Sequence, residues 1–199
     1  LNISVLCHMK KFSLSNSIIC YHINISKWVL WMKKIIILIF FLVFSFKAQA
    51  GCDDSIGDGV DYTNCRFSDG QDLKGSFLPN SNLSFASFIQ VNFDKSIMMN
   101  SILAYGTFSD STFVRANLYE SNLQGANFER SDFTSANLTR AKFFGATLIE
   151  ANFQNANLIE ADFSSANITN ANFDGANLNN ATWTDGNKCG QDSIGVCKK

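Results

Sequence analysis

The sequence predicts a solenoid, a chain wound into stacked coils with four sides to each coil. Three observations carry that prediction: a strict five-residue period, a small residue two places ahead of each large apolar one, and like residues recurring at a spacing of 20. The period is plainest in "ANFQNANLIEADFSSANITNANFDGANLNNA", residues 151–181. Neither a helix nor a strand has a period of five, so ordinary amphipathicity of either kind does not explain it.

With the large apolar residue taken as the centre, centres fall at every fifth residue from Leu73 to Trp183, 23 in succession without a slip. From Ala136 to Ala181 the residue two places before the centre is always Ala, and Asn or Asp dominates the place between. Centres 20 apart form uniform columns. One reads Leu73, Phe93, Phe113, Phe133, Phe153, Phe173, and the next reads Leu78, Met98, Leu118, Leu138, Leu158, Leu178. A 15-residue triangular coil would instead mix Leu118, Phe133, Leu148, Phe163 and Leu178 in one column. Like rings stack well on like rings at a strand spacing of about 4.8 Å, which favours four sides.

The pattern A-(D/N)-(L/F)-x-x resembles that of the pentapeptide repeat family over residues 71–185. The resemblance implies an all-β fold, a right-handed quadrilateral β-helix of about six coils in which each pentapeptide forms one side. The centre and the small residue then point inward, and the other three positions lie outside or at the turns. Two inward side chains from each of four sides crowd one narrow core, so one of the two must be small. Asn before the centre can bond backbone at the turn, and stacked Asn can form amide ladders. Gly70, Gly75, Gly125, Gly145 and Gly175 fall at turns, and Pro79, the single proline, follows the centre Leu78 where a turn can take it.

The ends differ from the repeat. Met32 opens "MKKIIILIFFLVFSFKAQA", with Lys33 and Lys34 ahead of an apolar run and Ala48-Gln49-Ala50 behind it. Residues 32–50 therefore read as a secretory signal peptide cleaved after Ala50, since the run is too short to span a bilayer. A competing lipidation of Cys52 would want a Leu-like residue where Gln49 stands. Residues 1–31 show no period or motif and read as upstream sequence outside the protein. Segments 51–70 and 186–199 read as an N-terminal and a C-terminal cap over the coil ends.

Cleavage would remove His8 and His22 and leave ten basic against 17 acidic residues, a net charge of −7. That balance favours solubility and disfavours nucleic acid or an anionic membrane as partner. Four cysteines remain, Cys52, Cys65, Cys189 and Cys197, and behind a signal peptide they read as disulfides. Four cysteines allow three pairings. A bridge joining the two ends would have to cross the rod, whereas disulfide Cα atoms lie within about 7 Å, so one local bridge per cap is expected: Cys52–Cys65 and Cys189–Cys197.

Without histidine, residues 51–199 hold no Ser-His-Asp or Cys-His arrangement and no His-based metal site, and no Gly-rich phosphate loop appears. Glu120 and Glu160 stand two coils apart with Arg140 between them, which reads as a charge ladder on a solvated face rather than a catalytic pair. The expectation is a non-enzymatic protein without metal or cofactor: an exported (periplasmic or secreted) bacterial scaffold that binds a protein partner or a second copy of itself. The family resemblance implies an alternative, since some pentapeptide repeat proteins mimic duplex DNA and protect DNA gyrase. Export, and cations such as Lys74, Lys95, Arg115, Arg130 and Arg140 among the acids, argue against it.

Between Phe77 and Tyr105 the outward positions turn apolar: Phe77, Phe85, Ile97, Met99, Ile102 and Tyr105. Later equivalents are polar, as at Asn137, Thr139, Asn157, Asn177 and Asn179. Two readings stay open, a contact surface for a partner or a seat for the N-terminal cap.

Overall fold

In the computed structural model of the chain, Cys52 and residues 56–199 are described. Segments 1–31 and 32–50 lie outside the described residues. From Asp72 to Thr182, residues 20 apart form parallel bridges, beginning with Asp72↔Asn92 and ending with Asp162↔Thr182. A coil is therefore 20 residues and has four sides. We call residues 71–75 side 1, 76–80 side 2, 81–85 side 3 and 86–90 side 4, with the same sides repeating every 20 residues.

One pentapeptide shows why the coil needs this sequence. In Ala136–Arg140, the Ala136 NH closes the preceding turn on Phe133 O at 3.0 Å. The Asn137 NH reaches down to Ala116 O at 2.9 Å, while the Leu138 and Arg140 NH groups reach up to Asn157 O and Ile159 O at 2.8 and 2.9 Å. Only the Thr139 NH has no backbone acceptor, and the Asn137 Oδ1 takes it at 3.3 Å. All five donors are bonded, the fifth by the Asn side chain, as buried or half-buried backbone requires. The same Asx bond recurs from Asn82–Ser84 to Asn177–Asn179. Side 2 of the first coil has Phe77 in place of Asn, and the residue whose NH would go unmet is Pro79, which has none.

Each corner turns on a residue with positive φ two places past the centre, from Asn80 at 55° through Arg140 at 59° to Asn180 at 58°. Positive φ there, with none at the residue before it, is the pattern of a type II turn. Gly, Asn or Asp fills ten of the 22 corners from Gly75 to Asn180, and at the others the bonds on either side hold the conformation.

The core is a stack of rings. Phe113, Phe133 and Phe153 lie on side 1 with centroids 4.9 and 5.0 Å apart and planes within 11°. A second phenylalanine column accompanies them: Phe88, Phe108 and Phe128 on side 4, then Phe143 and Phe163 on side 3. Phe143 takes over from Phe128 edge to face, at 6.2 Å and 74°. The small inward positions are mostly Ala or Ser, with Val91 and Gly106 among the exceptions. Buried Ser101, Ser111, Ser121 and Ser131 donate their hydroxyls to carbonyls one coil below, at 2.6–2.8 Å. Ser76 and Ser96, stacked on side 2, find no partner for theirs among the described residues.

The ladder starts before the regular period does. Asp61 bridges Asn82 and Arg66 bridges Ser87, each 21 residues away rather than 20. Tyr62 and Phe67 act as centres there, 2 and 8 % exposed, and the Phe67 ring stacks on Phe88 at 4.1 Å. One extra residue between Phe67 and Leu73 breaks the five-residue spacing at that corner. At the other end, residues 187–195 turn back across the last coil and bridge it antiparallel, Thr182↔Lys188 and Asn177↔Ile194.

Candidate interaction site

Outward positions divide the rod into unlike surfaces. On the second half, side 2 carries a charge ladder at its corner: Arg140 meets Glu160 at 2.8 Å and Glu120 at 3.1 Å. Tyr119 and Arg140 beside Glu120 hold its carboxyl below the usual carboxylate range. On side 4, Arg130 grips both oxygens of Asp110 at 2.7 and 2.9 Å and also contacts Glu129. Arg130 beside Asp110 lowers the Asp110 pKa, and both arginines are pushed up by their partners. Glu120, Arg140 and Glu160 thus interlock three coils and leave no paired free carboxylates.

The first half of sides 2 and 3 is different. Residues 76–85 and 96–105 contain no charged residue. Phe77 and Ile97 bridge each other on side 2, and they are 52 and 37 % exposed. Ile102 on side 3 is exposed as well, and Met99 is half-buried. At the next corner Phe85 and Tyr105 stack at 5.3 Å with planes 13° apart. Gln124 donates to the Tyr105 hydroxyl at 3.2 Å. The Tyr105 ring lies over Gly125, where a Cβ would stand 2.6 Å from it, so any larger residue there would displace the ring. The structure thus groups the six residues as one bridged pair and one stacked pair, with Met99 and Ile102 on neighbouring sides. Residues 61–67 continue the coil under sides 3 and 4, and at the end of side 2 the Gly59 NH donates to Pro79 O and the Asn80 amide to Asp58, each at 2.9 Å.

Cys52 and Cys65 have Cα atoms 5.4 Å apart, and Cys189 and Cys197 5.0 Å apart. Both distances suit a disulfide, and such bridges are compatible with an exported protein. Among the described residues no group of three or more His, Cys, Asp or Glu is placed to hold a metal ion, and no helix is long and apolar enough to cross a membrane. The Asx bonds and the positive-φ corners escaped sequence reasoning in part. Asn before the centre signalled the first, but the corner residues Lys95, Arg115 and Glu120 carry no turn signal.

Known proteins place this geometry. No protein with a curated description matches the chain. A trypsin-treated variant of QnrB1, a plasmid-mediated fluoroquinolone resistance protein, aligns over 62 % of this chain and 70 % of its own at 19 % identity, with a TM-score of 0.56. A second trypsin-treated QnrB1 variant aligns over 62 % of this chain and 72 % of its own at 16 % identity, TM-score 0.53. HetL, a pentapeptide repeat protein from the cyanobacterium Nostoc, aligns over 66 % of this chain and 92 % of its own at 16 % identity, TM-score 0.37. At these identities the QnrB1 structures speak for the fold alone. The Pentapeptide repeats family matches residues 71–103, 111–148 and 148–182 in eight copies, more than half of the chain. With the five-residue period, the 20-residue coil and the inward Ala and Phe or Leu, that match shows that the chain belongs to the pentapeptide repeat family.

Proposed function

We propose that the chain is an exported, non-enzymatic rod that binds a protein partner through its apolar surface on sides 2 and 3. Proteins of this family are generally structural or interaction proteins. One observation carries the reading: the outward positions of 76–85 and 96–105 are free of charge, and Phe77, Phe85, Ile97, Ile102 and Tyr105 are all more than a third exposed. On a chain whose residues 51–199 carry a net charge of −7, an uncharged apolar surface is where an apolar partner can dock without burying charged groups. Disulfides Cys52–Cys65 and Cys189–Cys197 would fix the two ends of the rod, as an oxidising compartment allows.

The gyrase-binding reading has the QnrB1 fold likeness in its favour. Against it, Arg130 and Arg140 stand among Asp110, Glu129, Glu120 and Glu160 and offset part of their charge, which interrupts any DNA-like line of negative charge. Replacing Ile97, Met99 and Tyr105 together with Ser separates a binding surface from a structural one. Loss of partner capture with an unchanged melting temperature supports the proposal. A lowered melting temperature with capture intact retires it.

A further inference from the structure

Charge is arranged differently at one corner of the rod. At the end of side 2 the outward charges alternate in sign from coil to coil, Glu120, Arg140, Glu160, and at the end of side 4 they alternate again, Asp110, Arg130, Glu150. At the end of side 1 two cations stand one above the other, Lys95 and Arg115. Both are exposed, and both hold the left-handed corner conformation, at φ 58° and 59°. The Lys95 NH is fixed on Val114 O at 2.9 Å and the Arg115 NH on Thr134 O at 3.0 Å, which keeps the two corners in register. One coil, about 4.8 Å, separates them. Among the described residues neither makes an ion pair, whereas Arg130 and Arg140 each make two. Asp94, next to Lys95 in the chain, turns its Oδ1 to the Val114 NH at 3.0 Å and stands one coil above Lys74, which offsets it. Lys95 and Arg115 also border the apolar surface, because Ile97 and Met99 follow Lys95 directly along side 2.

We propose that the partner docking on sides 2 and 3 is a protein segment with carboxylates beside its apolar residues, and that those carboxylates seat on Lys95 and Arg115. The inference rests on the reading of sides 2 and 3 as a binding surface. Two like charges one coil apart repel each other until an anion lies beside them, so this corner favours a partner of opposite sign. Arg115 offers a planar fork that can grip a carboxylate with two bonds, and Lys95 adds a second positive charge beside it. The net charge of −7 over residues 51–199 does not oppose this, because physiological salt screens charges beyond about 8 Å and the sign at the corner decides. The apolar side chains supply the burial. The cations fix which way the segment lies across side 2.

The test uses the whole protein and random ten-residue peptides displayed on phage. Peptides that require Ile97, Met99 and Tyr105, judged by loss of binding in the triple Ser variant, should be enriched in Asp and Glu beside apolar residues. Their affinity should fall about tenfold in a Lys95→Asn, Arg115→Asn double variant and stay near the parent's in Lys95→Arg, which keeps the charge. Asn fills the same corner at Asn155, so the double variant keeps the fold. Raising salt from about 50 mM to about 500 mM should weaken binding about tenfold in the parent and little in the double variant. Peptides that need the apolar residues but lack carboxylates, or that bind the double variant as tightly as the parent, would overturn this proposal and leave the surface itself in place. Absence of any peptide that depends on Ile97, Met99 and Tyr105 would retire both. Binding to phosphatidylglycerol vesicles that the double variant loses would assign the corner to a membrane and overturn the proposal as well.

Discussion

Asn137 donates its side-chain amide to Asn117 Oδ1 one coil below, at 3.0 Å. Its own Oδ1 accepts from the NH and the hydroxyl of Thr139. One side chain thus bonds the turn and the neighbouring coil at once, which is why Asn suits the position before the centre. Asn137→Leu should cost about 1–3 kcal/mol, because it strands the Thr139 NH and removes one of the two donors on Asn117 Oδ1, leaving it the Tyr119 NH. Asn137→Asp keeps the turn bond and should cost less. Urea unfolding of the two variants checks the order, and equal losses would deny the turn bond its role.

Phe133 is fully buried between Phe113 and Phe153. Phe133→Ala should cost about 3–5 kcal/mol. Ala156, 1 % exposed, faces the same core, and Ala156→Phe should be at least as harmful because a ring cannot fit beside the stacked centres. Thr139→Lys changes an outward residue and forfeits one hydroxyl bond, so it should cost no more than about 1 kcal/mol. Melting temperatures that ranked Thr139→Lys worst would reverse the assignment of inside and outside.

The buried serines are not equivalent. Ser121 gives its hydroxyl to Met98 O at 2.7 Å, whereas the Ser96 hydroxyl is buried and finds no partner among the described residues. Ser121→Ala should therefore destabilise by about 1 kcal/mol, and Ser96→Ala should stabilise by a similar amount. Chemical denaturation measures both, and opposite signs are the expected result.

Period and residue type made much of the architecture legible. Ala at the inner position and Phe or Leu at the centre mark the core, because eight inward side chains per coil leave no other solution. Arg140 between Glu120 and Glu160 was also readable, since a 20-residue coil puts equivalent positions one above another. Other features were hidden for physical reasons. Tyr62 and Phe67 are centres out of step, because the extra residue before Leu73 breaks the count while the hydrogen bonds absorb it. The positive φ at Arg115 or Glu150 leaves no trace in residue choice, because neighbouring bonds impose it.

Acid should weaken the rod. Lys199 beside Asp185 holds that carboxyl down at about 2, with help from Asn187. Arg130 lowers Asp110, and the Thr63 hydroxyl lowers Asp61. Carboxylates whose pKa is depressed on folding contribute stability above their unfolded value, about pH 4, and lose it as pH falls through the folded value. The melting temperature should therefore drop between about pH 4 and pH 2, and less steeply in Arg130→Ala. A flat profile across that window would deny these contacts any part in stability.

The most direct test of the exported, disulfide-fixed rod is mass analysis of the protein recovered from fractionated cells of its source, with and without reductant and with peptide mapping. The chain should begin near Gly51 in the exported fraction and carry Cys52–Cys65 and Cys189–Cys197 bridges. Cytosolic protein with residues 32–50 still attached, or a Cys65–Cys189 link, would contradict it.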